Sequence, residues 1–458
     1  MEIVSKSSGF RAAVLLGCCA AAWAAVSGCK TLPIQLEMQS REGALDRQDR
    51  ILILAPHPDD EVLGCGGVIQ HAVGMGIPVR IVFLTHGDNN EWSFMVHRKR
   101  PVLASREVRR MGLIRRKEAF KAAEILGVPA REILFLGYPD FGVLNIWTLH
   151  WGDRPAYRSM LTRARAVPYK NAFRPGAAYK GEEVLRDLET VIREFRPTKI
   201  FISHPADRNS DHRALYLFTR VALWNLEKEL KPQVYPYLIH FPRWPRPAGD
   251  HPSEPSVPPK DLQRHSQWRR FLLTPVEVER KKRALQAHQT QFRYNRRALL
   301  SFVRRNELFG ESPEVDLHAG DSPVGLTVRR PPKSEASGFQ SKFVWLEENN
   351  LVLEIEFSHP LEENVYVSLH VFGYRSRVPF SQMPKLHIRM GAFGSAVYDQ
   401  KKREFSHEIK VIRKHNKVTI RVPLEALGYP ERVLTGARMV IEKVPLDWLS
   451  WRVLRLDE

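Results

Sequence analysis

Cysteine is scarce in this chain of 458 residues, which contains only Cys18, Cys19, Cys29 and Cys65. The first three lie in an N-terminal segment that has the pattern of a targeting signal. Cys65 alone remains for the folded part of the chain, which excludes an intramolecular disulfide there. Because Cys65 lies in a glycine-rich stretch without an evident partner base, we expect it to be a small packing residue rather than a nucleophile.

Long apolar runs are missing beyond the N-terminus, which excludes a membrane-spanning helix in that part of the chain, and no internal repeat is evident. At the N-terminus, Lys6 and Arg11 precede an apolar stretch, and Cys29 follows two small residues. This pattern resembles a bacterial lipoprotein signal. It predicts removal of residues 1–28, a lipid on Cys29 and a place in the cell envelope, at the outer membrane facing the periplasm or the cell surface. A plain secretory signal or an uncleaved anchor is the alternative.

Acidic residues are outnumbered, with 51 Asp and Glu against 70 Lys and Arg, so the formal charge is +19. The predicted signal contributes only +1, from Lys6, Arg11 and Glu2. The excess favours contact with an anionic membrane surface or an acidic polysaccharide, although a generally solvated basic surface explains it equally well. Basic and aromatic residues are not interleaved in a recognisable motif, so nucleic acid is not an expected partner.

The chain is longer than one hydrophobic core normally supports, so we expect two folded domains. Apolar strands alternate with helical patterns, beginning with Ile51–Ala55 and Val79–Thr85. This alternation predicts an α/β domain with a Rossmann-like, mostly parallel sheet and helices on both faces. Later runs of alternating polarity predict a smaller antiparallel β-sandwich. The expected limits are 29–50 for a polar spacer, 51–310 for the α/β domain, 311–336 for a linker and 337–458 for the β domain.

The most informative motif is Pro56-His57-Pro58-Asp59-Asp60-Glu61, directly after the first strand. An open α/β sheet usually builds its site at the carboxyl ends of its strands. An imidazole and a carboxylate can bind Zn²⁺, while the neighbouring carboxylate takes a proton from water at the metal. The alternative is that the acidic residues only cap a helix N-terminus.

A catalytic zinc site with three protein ligands needs one more residue. The best candidate is His212, which follows the strand Lys199–Ser203 and has Asp211 beside it as a possible orienting carboxylate. Both ligand segments leave the carboxyl ends of strands in one sheet, where they can converge. Taken alone, a histidine at a helix start would be read as a solvated or capping residue.

Together these segments resemble the PIG-L/LmbE-like zinc-dependent N-acetylglucosaminyl deacetylases. The similarity spans about residues 51–310 and rests on elements that occur in the family's order. These are the motif at residues 56–61, Thr85-His86-Gly87, residues 115–119 with 126–128, residues 136–140, Asp207 with Asp211-His212, and residues 282–284 with 288–291.

The resemblance implies roles for individual residues. The implied ligands of Zn²⁺, or of another divalent metal, are His57, Asp60 and His212. The implied catalytic residues are Asp59 as general base, Asn209 and Asp211, and the implied substrate-binding residues are Arg116 and Asp140. The chain departs from the family at Asn209, where many relatives have a histidine that polarises the carbonyl. Asn209 can donate a hydrogen bond but supplies no positive charge, so His204, His86 or an arginine are alternative donors.

The implied reaction is hydrolysis of an acetamide by zinc-activated water, which removes acetate from an N-acetylated sugar in a glycan, polysaccharide or glycoconjugate. One alternative is an N-acyl hydrolase that acts on a non-glycan amide. The other is a non-catalytic envelope glycan-binding lipoprotein that retains the metal site, which is consistent with Asn209 and the added β domain. Aromatic residues of that domain are candidates for stacking on sugars, although core packing is their commoner role.

Overall fold

The computed structural model describes residues 36–38, 44–89, 104–263, 266–326, 338–404, 407–441 and 444–456. The predicted signal segment, the lipidation residue Cys29 and parts of the predicted spacer and linker lie outside these ranges. Among the described residues, no helix combines the length and the apolar character needed to cross a bilayer.

The predicted α/β domain is confirmed and is built on an eight-stranded sheet. Its strands are β1 (Leu36–Met38), β2 (Ile51–Ala55), β3 (Val79–Thr85), β4 (Ile133–Tyr138), β5 (Lys199–Ser203), β6 (Gln233–Tyr237), β7 (Gln267–Leu272) and β8 (Asn306–Glu311). Their order is β1-β7-β8-β6-β5-β2-β3-β4. The five strands from β6 to β4 run parallel, and β8 is antiparallel to β6 and β7. Every residue of β2 is buried, as expected for a central strand covered on both faces.

Helices cover the sheet, and small residues decide how closely the first one packs. The helices are α1 (Asp60–Gly74), α2 (Ser105–Leu126), α3 (Val143–Leu149), α4 (Gly181–Phe195), α5 (Ser210–Asn225), α6 (Pro275–Ala287) and α7 (Gln289–Leu300). A side chain at Gly64 would collide with the ring of Tyr237, so glycine allows α1 to approach β6 closely. Residues 275–300 form two helices, α6 and α7, which are divided at His288.

The chain changes direction in this sheet between β2 and β5. From β2 it continues to β3 and β4 on one side, and then crosses to β5 on the other side. The loops that follow β2 and β5 therefore open into the same crevice, which is where open α/β sheets bind ligands. These two loops carry the motifs at residues 57–60 and 207–212.

The predicted antiparallel β region follows as two sheets. The five-stranded sheet contains β10 (Val324–Gly325), β11 (Phe339–Glu347), β12 (Asn350–Phe357), β17 (Lys410–Lys414) and β18 (Lys417–Pro423). The seven-stranded sheet contains β9 (Val315–Leu317), β13 (Val365–Tyr374), β14 (Lys385–Met390), β15 (Ser395–Asp399), β16 (Lys402–Arg403), β19 (Arg432–Ile441) and β20 (Val444–Leu456). The segment 311–336, which was expected to be a linker, contains the short strands β9 and β10. They belong to the β region, since β9 pairs with β20 and β10 pairs with β11.

The outer face of the seven-stranded sheet packs against the α/β domain. Trp147 of α3 is fully buried and lies against Phe218 of α5 and Phe380 of the β region, with ring centroids 4.9 and 5.3 Å apart. Phe372 and Tyr374 of β13 belong to the same apolar core. The inner faces of the two β sheets enclose a separate core. The β region is therefore joined to the α/β domain by a shared hydrophobic core.

Candidate active site

The structure brings His57, Asp60 and His212 together at the carboxyl ends of β2 and β5. Asp60 Oδ2 lies 3.2 Å from His57 Nδ1 and 3.1 Å from His212 Nε2. All three side chains are buried. Asp60 begins α1 and His212 lies in the first turn of α5, whereas His57 lies in the short turn between β2 and α1.

These three residues fit a divalent cation. Asp60 Oδ2 lies within 3.2 Å of one nitrogen of each imidazole, so one ligand atom from each of the three residues faces the same point. Tetrahedral zinc with ligand atoms at about 2.0–2.2 Å places those atoms roughly 3.3–3.6 Å apart, which is close to the separations here. Two imidazoles and one carboxylate are also a donor set used by catalytic zinc.

Each of the two histidines has another carboxylate on its far side. His57 Nε2 lies 3.0 Å from Asp140 Oδ1, and His212 Nδ1 lies 3.1 Å from Asp207 Oδ2. Burial lowers the pKa of His212, but Asp207 and Asp60 outweigh this effect and raise the pKa to about 9. Carboxylates in these positions orient metal-binding imidazoles and increase their basicity. The same negative charges that favour a proton on these rings favour a bound cation.

Asp59 lies at the edge of this group in an uncommon backbone conformation. Its φ of 119° and ψ of −29° are rare for a residue other than glycine. A hydrogen bond of 2.8 Å from Asp59 N to Glu61 Oε2 supports this conformation, and His288 Nε2 lies 2.8 Å from the other oxygen of Glu61. Backbone strain of this kind is concentrated at functional sites, which supports a functional role for Asp59.

The surroundings of Asp59 alter its acidity. Burial raises the pKa of Asp59 to about 7, with Arg115 opposing the shift and Asp60 reinforcing it. Arg115 Nη2 lies 3.6 Å from Asp59 Oδ1, and the guanidinium donates to the carbonyl oxygens of Pro58 and Gly87. A side chain at Gly87 would collide with this guanidinium, so glycine is needed there. A carboxyl group with a pKa near neutrality can both accept and return a proton.

Two predicted site residues lie elsewhere than expected. Asp211 accepts hydrogen bonds from the backbone N–H groups of Phe141 and Val143, at 2.5 and 3.1 Å, and its Oδ2 lies 3.4 Å from His57 Nε2. Asp211 does not face the His212 ring, because successive residues on a helix point about 100° apart. The carboxylate that faces His212 is therefore Asp207, and Asp211 supports the loop that follows Asp140.

Arg116 is not brought to the cavity either. Its guanidinium lies over the Phe120 ring, 4.4 Å from the centroid, whereas its neighbour Arg115 lines the cavity beside the metal-ligand group. The same angular separation on α2 explains this difference. Asp140, in contrast, lies on the cavity wall as well as beside His57, so its predicted contact with substrate remains a prediction.

The candidate ligands open into a cavity of about 390 Å³. The metal-ligand side contributes His57, Asp59, Asp60, Asp140 and Asn209 to the lining. The opposite wall comes from the proline-rich segment at residues 242–260 and from α7 with the residues after it, and includes Arg243, Trp244, Arg246, Tyr294 and Phe302. The proline-rich segment, which interrupts the α/β pattern in the sequence, is therefore part of the site.

Asn209 is the N-cap of α5 and also lines the cavity. Its Oδ1 accepts a hydrogen bond of 2.8 Å from Asp211 N. Because the carbonyl oxygen is used in the cap, the amide nitrogen is the part of this side chain that can donate into the cavity. Of the alternative donors, the two histidines do not line the cavity, because His86 stacks on Tyr169 and His204 stacks on Trp268. Arg115, Arg243 and Arg246 do line it, so an arginine is still an alternative.

Sequence reasoning left Asp207, Arg115 and His240 out of the candidate site. His240 lines the cavity next to His212, with ring centroids 4.8 Å apart. Its position shortly after the apolar strand β6 is a signal that the sequence offers. Asp207 and Arg115 lay within the segments that carried the family resemblance, but only the folded structure separates them from Asp211 and Arg116.

The fold and site define an α/β protein with a candidate metal centre at the crevice where the sheet changes direction. Residues 52–223 match the model of the PIG-L family, described as GlcNAc-PI de-N-acetylase. The chain therefore contains a PIG-L family domain, which confirms the family resemblance of the sequence.

Two deacetylases are also similar to this chain in sequence. The 1D-myo-inositol 2-acetamido-2-deoxy-alpha-D-glucopyranoside deacetylase 1 of Saccharopolyspora erythraea is 30% identical over 167 residues, 36% of this chain and 48% of that protein. The probable N-acetyl-alpha-D-glucosaminyl L-malate deacetylase 2 of Bacillus cereus is 25% identical over 190 residues, 41% of this chain and 67% of that protein. This chain thus spans about half the length of the first relative.

Among solved structures, the N,N'-diacetylchitobiose deacetylase from Pyrococcus horikoshii is similar over 54% of this chain and 74% of its own, at 23% identity and a TM-score of 0.30. A TM-score this low gives no information about the substrate of this chain.

Proposed function

We propose that this protein is a zinc-dependent hydrolase that removes the acetyl group from an N-acetylated amino sugar. The observation that carries the proposal is the convergence of His57, Asp60 and His212 around one point, with Asp59 on the wall of the same cavity. The PIG-L family domain and its deacetylase relatives support this reaction class.

Each residue of the site has a separate role in amide hydrolysis. A zinc ion, when bound, supplies a Lewis acid that activates water and polarises a carbonyl. His57, Asp60 and His212 would hold it, and Asp140 and Asp207 would orient the two rings. Asp59 accepts a proton from the attacking water and then delivers it to the nitrogen of the leaving amine. The proton thus moves from water to the product amine.

The developing negative charge on the acyl oxygen needs a donor from the protein. The amide nitrogen of Asn209 is our candidate for this donor, because the side-chain carbonyl oxygen is used in the helix cap. Asn209 also supports the second candidate function, a non-catalytic glycan-binding protein, because it lacks the positive charge that a histidine would supply.

The place of action is proposed from the sequence. Residues 1–28 would be removed as a signal peptide, and a lipid on Cys29 would hold the protein at the bacterial outer membrane. The substrate would then be an N-acetylated glycan or glycoconjugate of the cell envelope or a secreted polysaccharide.

The test is acetate release by the zinc-loaded full chain. The probes are the N-acetylglucosaminyl conjugates of inositol and of malate, and N,N'-diacetylchitobiose. We expect turnover of at least one probe and loss of turnover after chelation. Asp59→Asn should lower kcat about 10²- to 10⁴-fold while zinc content stays at the wild-type level.

Asp316→Asn is the matched control, because this exposed carboxylate pairs with Arg455 on the β region. If zinc-loaded protein binds these saccharides without turnover, the non-catalytic function is the better one. Full activity in Asp59→Asn would remove Asp59 as the base.

A further inference from the structure

The seven-stranded sheet carries an unusual set of cations on the face that it turns towards the α/β domain. In β13, Ser368 pairs directly with Arg389 of β14 and Arg438 of β19. Two residues further along, His370 pairs with His387 of β14. Directly paired residues share a face of the sheet. The next residue on this face, Phe372, packs into the core shared with α3 and α5. We call the five residues Arg213, His370, His387, Arg389 and Arg438 the junction face.

The cations of the junction face have few opposite charges to balance them. Arg389 and Arg438 form no ion pair with any residue in the described ranges, and both are exposed. Arg213 of α5 approaches from the other side, and the acidic groups in electrostatic contact with it within the described residues are Asp207 and Asp211 of the active site. Burial lowers the pKa of His370 well below its usual value and that of His387 to about 4, and neighbouring arginines lower both further. Both imidazoles are therefore neutral near pH 7, and the positive charge of the junction face lies on its three arginines.

The imidazoles also leave polar atoms without partners. His370 is 9% exposed, and its Nδ1 has no hydrogen-bond partner within the described structure; the same holds for His387 Nε2. Buried polar groups are normally paired, so each exception needs a physical reason. An anion or a hydroxyl-rich ligand placed here would supply both the missing hydrogen bonds and the missing negative charge.

Flat rings extend across the same face. Trp451 stacks on His370 with centroids 5.7 Å apart, His370 stacks on His387 at 4.5 Å, and Tyr398 lies 6.2 Å from His387. This row crosses β20, β13, β14 and β15. Trp451 and His370 are buried at one end of this row, so the partly exposed rings of His387 and Tyr398 are the part that can offer apolar surface with a polar edge to a sugar.

The junction face is linked to the catalytic cavity by a series of neighbouring residues. Trp448 pairs directly with Arg438, and the Arg208 guanidinium lies 4.0 Å from the centroid of the Trp448 ring. Arg208 precedes Asn209, which lines the cavity. A saccharide that leaves the cavity past Asn209 therefore meets Arg208 and Trp448, and then the guanidinium of Arg438.

We propose that the junction face is a binding site for a carboxylate-bearing stretch of a saccharide chain, which positions an N-acetylated residue of the same chain in the catalytic cavity. The part of this inference that places an N-acetylated residue in the catalytic cavity rests on the proposed function. Sugar is favoured over an anionic membrane because the cations lie in a junction between two domains and are interleaved with rings. The β region is then a part of the substrate site and not only a packing partner.

The experiment compares two probes of equal length by calorimetry. One is an oligosaccharide of alternating N-acetylglucosamine and uronic acid, and the other is a neutral N-acetylglucosamine oligomer. The full chain should bind the acidic oligomer about tenfold more tightly than the neutral one, and added salt should weaken this preference. Arg389→Gln/Arg438→Gln should remove the preference.

The matched control is Arg377→Gln/Lys414→Gln, which removes the same charge from exposed positions elsewhere on the β region and should keep the preference. Acetate release from a monosaccharide conjugate is measured for each variant and should not change, because neither pair lines the cavity. Failure of acetate release in every protein would reject the proposed function and leave the binding result standing.

Three results would overturn the inference. The first is equal affinity for both oligomers. The second is an equal loss in both double variants, which would indicate a general charge effect. The third is loss of binding to vesicles that contain anionic phospholipid in Arg389→Gln/Arg438→Gln while oligosaccharide binding is kept. Because both arginines are exposed, unchanged thermal unfolding is expected and serves as the folding check.

Discussion

Asp207 orients the imidazole of His212: its Oδ2 lies 3.1 Å from His212 Nδ1, so the opposite ring nitrogen faces Asp60. The same oxygen accepts hydrogen bonds from the backbone N–H groups of Ile239 and His240, at 3.0 and 2.9 Å. Burial raises the pKa of Asp207, but His212 and His240 more than compensate and lower it to about 2. Asp207 therefore stays charged over the range in which a metal is bound.

We predict that Asp207→Asn weakens zinc binding about 10- to 100-fold, because carboxylates that orient a ligating imidazole have effects of that size. The measurement is a competition titration with a chelator of known affinity. Asp211→Asn is the informative comparison, since Asp211 supports the loop at Phe141 and Val143 rather than His212. If Asp211→Asn weakened zinc binding more than Asp207→Asn, the assignment of roles would be reversed.

A second prediction separates the two functions of Asn209. Asn209→Asp keeps a good N-cap for α5 but replaces the amide donor with a negative charge in the cavity. We expect kcat to fall about 10²- to 10³-fold, the usual cost of losing one donor to the acyl oxygen, with little change in thermal stability. Asn209→Ala should also lose about 1 kcal/mol of stability, because the cap is removed.

The measurements for Asn209 are initial rates on the best probe and unfolding in denaturant. An Asn209→Asp protein with wild-type kcat would show that the donor is another group, with His240 or Arg115 next in line because both line the cavity.

The candidate metal ligands were predictable from sequence because each one follows a strongly apolar strand. Ile51–Ala55 and Lys199–Ser203 are buried runs that form central strands, and their carboxyl ends meet because both belong to one parallel sheet. His57, Asp60 and His212 could therefore be named without a structure. The resemblance to a known family then supplied the role of Asp59.

Choices between neighbouring residues were not predictable in the same way. Asp207 and Asp211 are the same type of residue, and both lie near His212 in the sequence. Which of them faces the His212 ring depends on the turn between β5 and α5. Arg115 and Arg116 differ only by one step around α2. The proline-rich wall at Arg243 and Trp244 was equally hidden, because nothing local indicates which way a long insertion folds.

The shared core gives a third prediction. Trp147 is fully buried between Phe218 and Phe380, so Trp147→Ala should cost about 3–5 kcal/mol in the free energy of unfolding. Because this core joins the α/β domain to the β region, both should unfold in one transition in the wild type. Fluorescence and far-ultraviolet circular dichroism in denaturant check this. Phe393→Ala is the control, because Phe393 is 80% exposed and its loss should have little effect.

Lys385 gives a prediction about pH. This lysine is buried in the same core, where its Nζ donates to the carbonyl oxygens of Phe380 and Met383 at 2.5 and 2.8 Å. Burial lowers the pKa of Lys385 to about 7. Between pH 7 and the ordinary pKa of about 10.4, the unfolded chain binds a proton that the folded chain does not. Lys385 should therefore make the free energy of unfolding rise with pH in this window and contribute no such dependence below it. In the metal-free protein His212, whose pKa is raised to about 9, contributes with the opposite sign.

Lys385→Met should reduce this slope, whereas Lys401→Met, at an exposed position, should not. The slope should not vanish, because burial also lowers the pKa of Lys342 to about 7, and this second lysine contributes with the same sign. The measurement is the midpoint of denaturant unfolding at several pH values from 6 to about 10 for the three proteins. The same pH slope in the wild type and in Lys385→Met would show that Lys385 is charged in the folded protein.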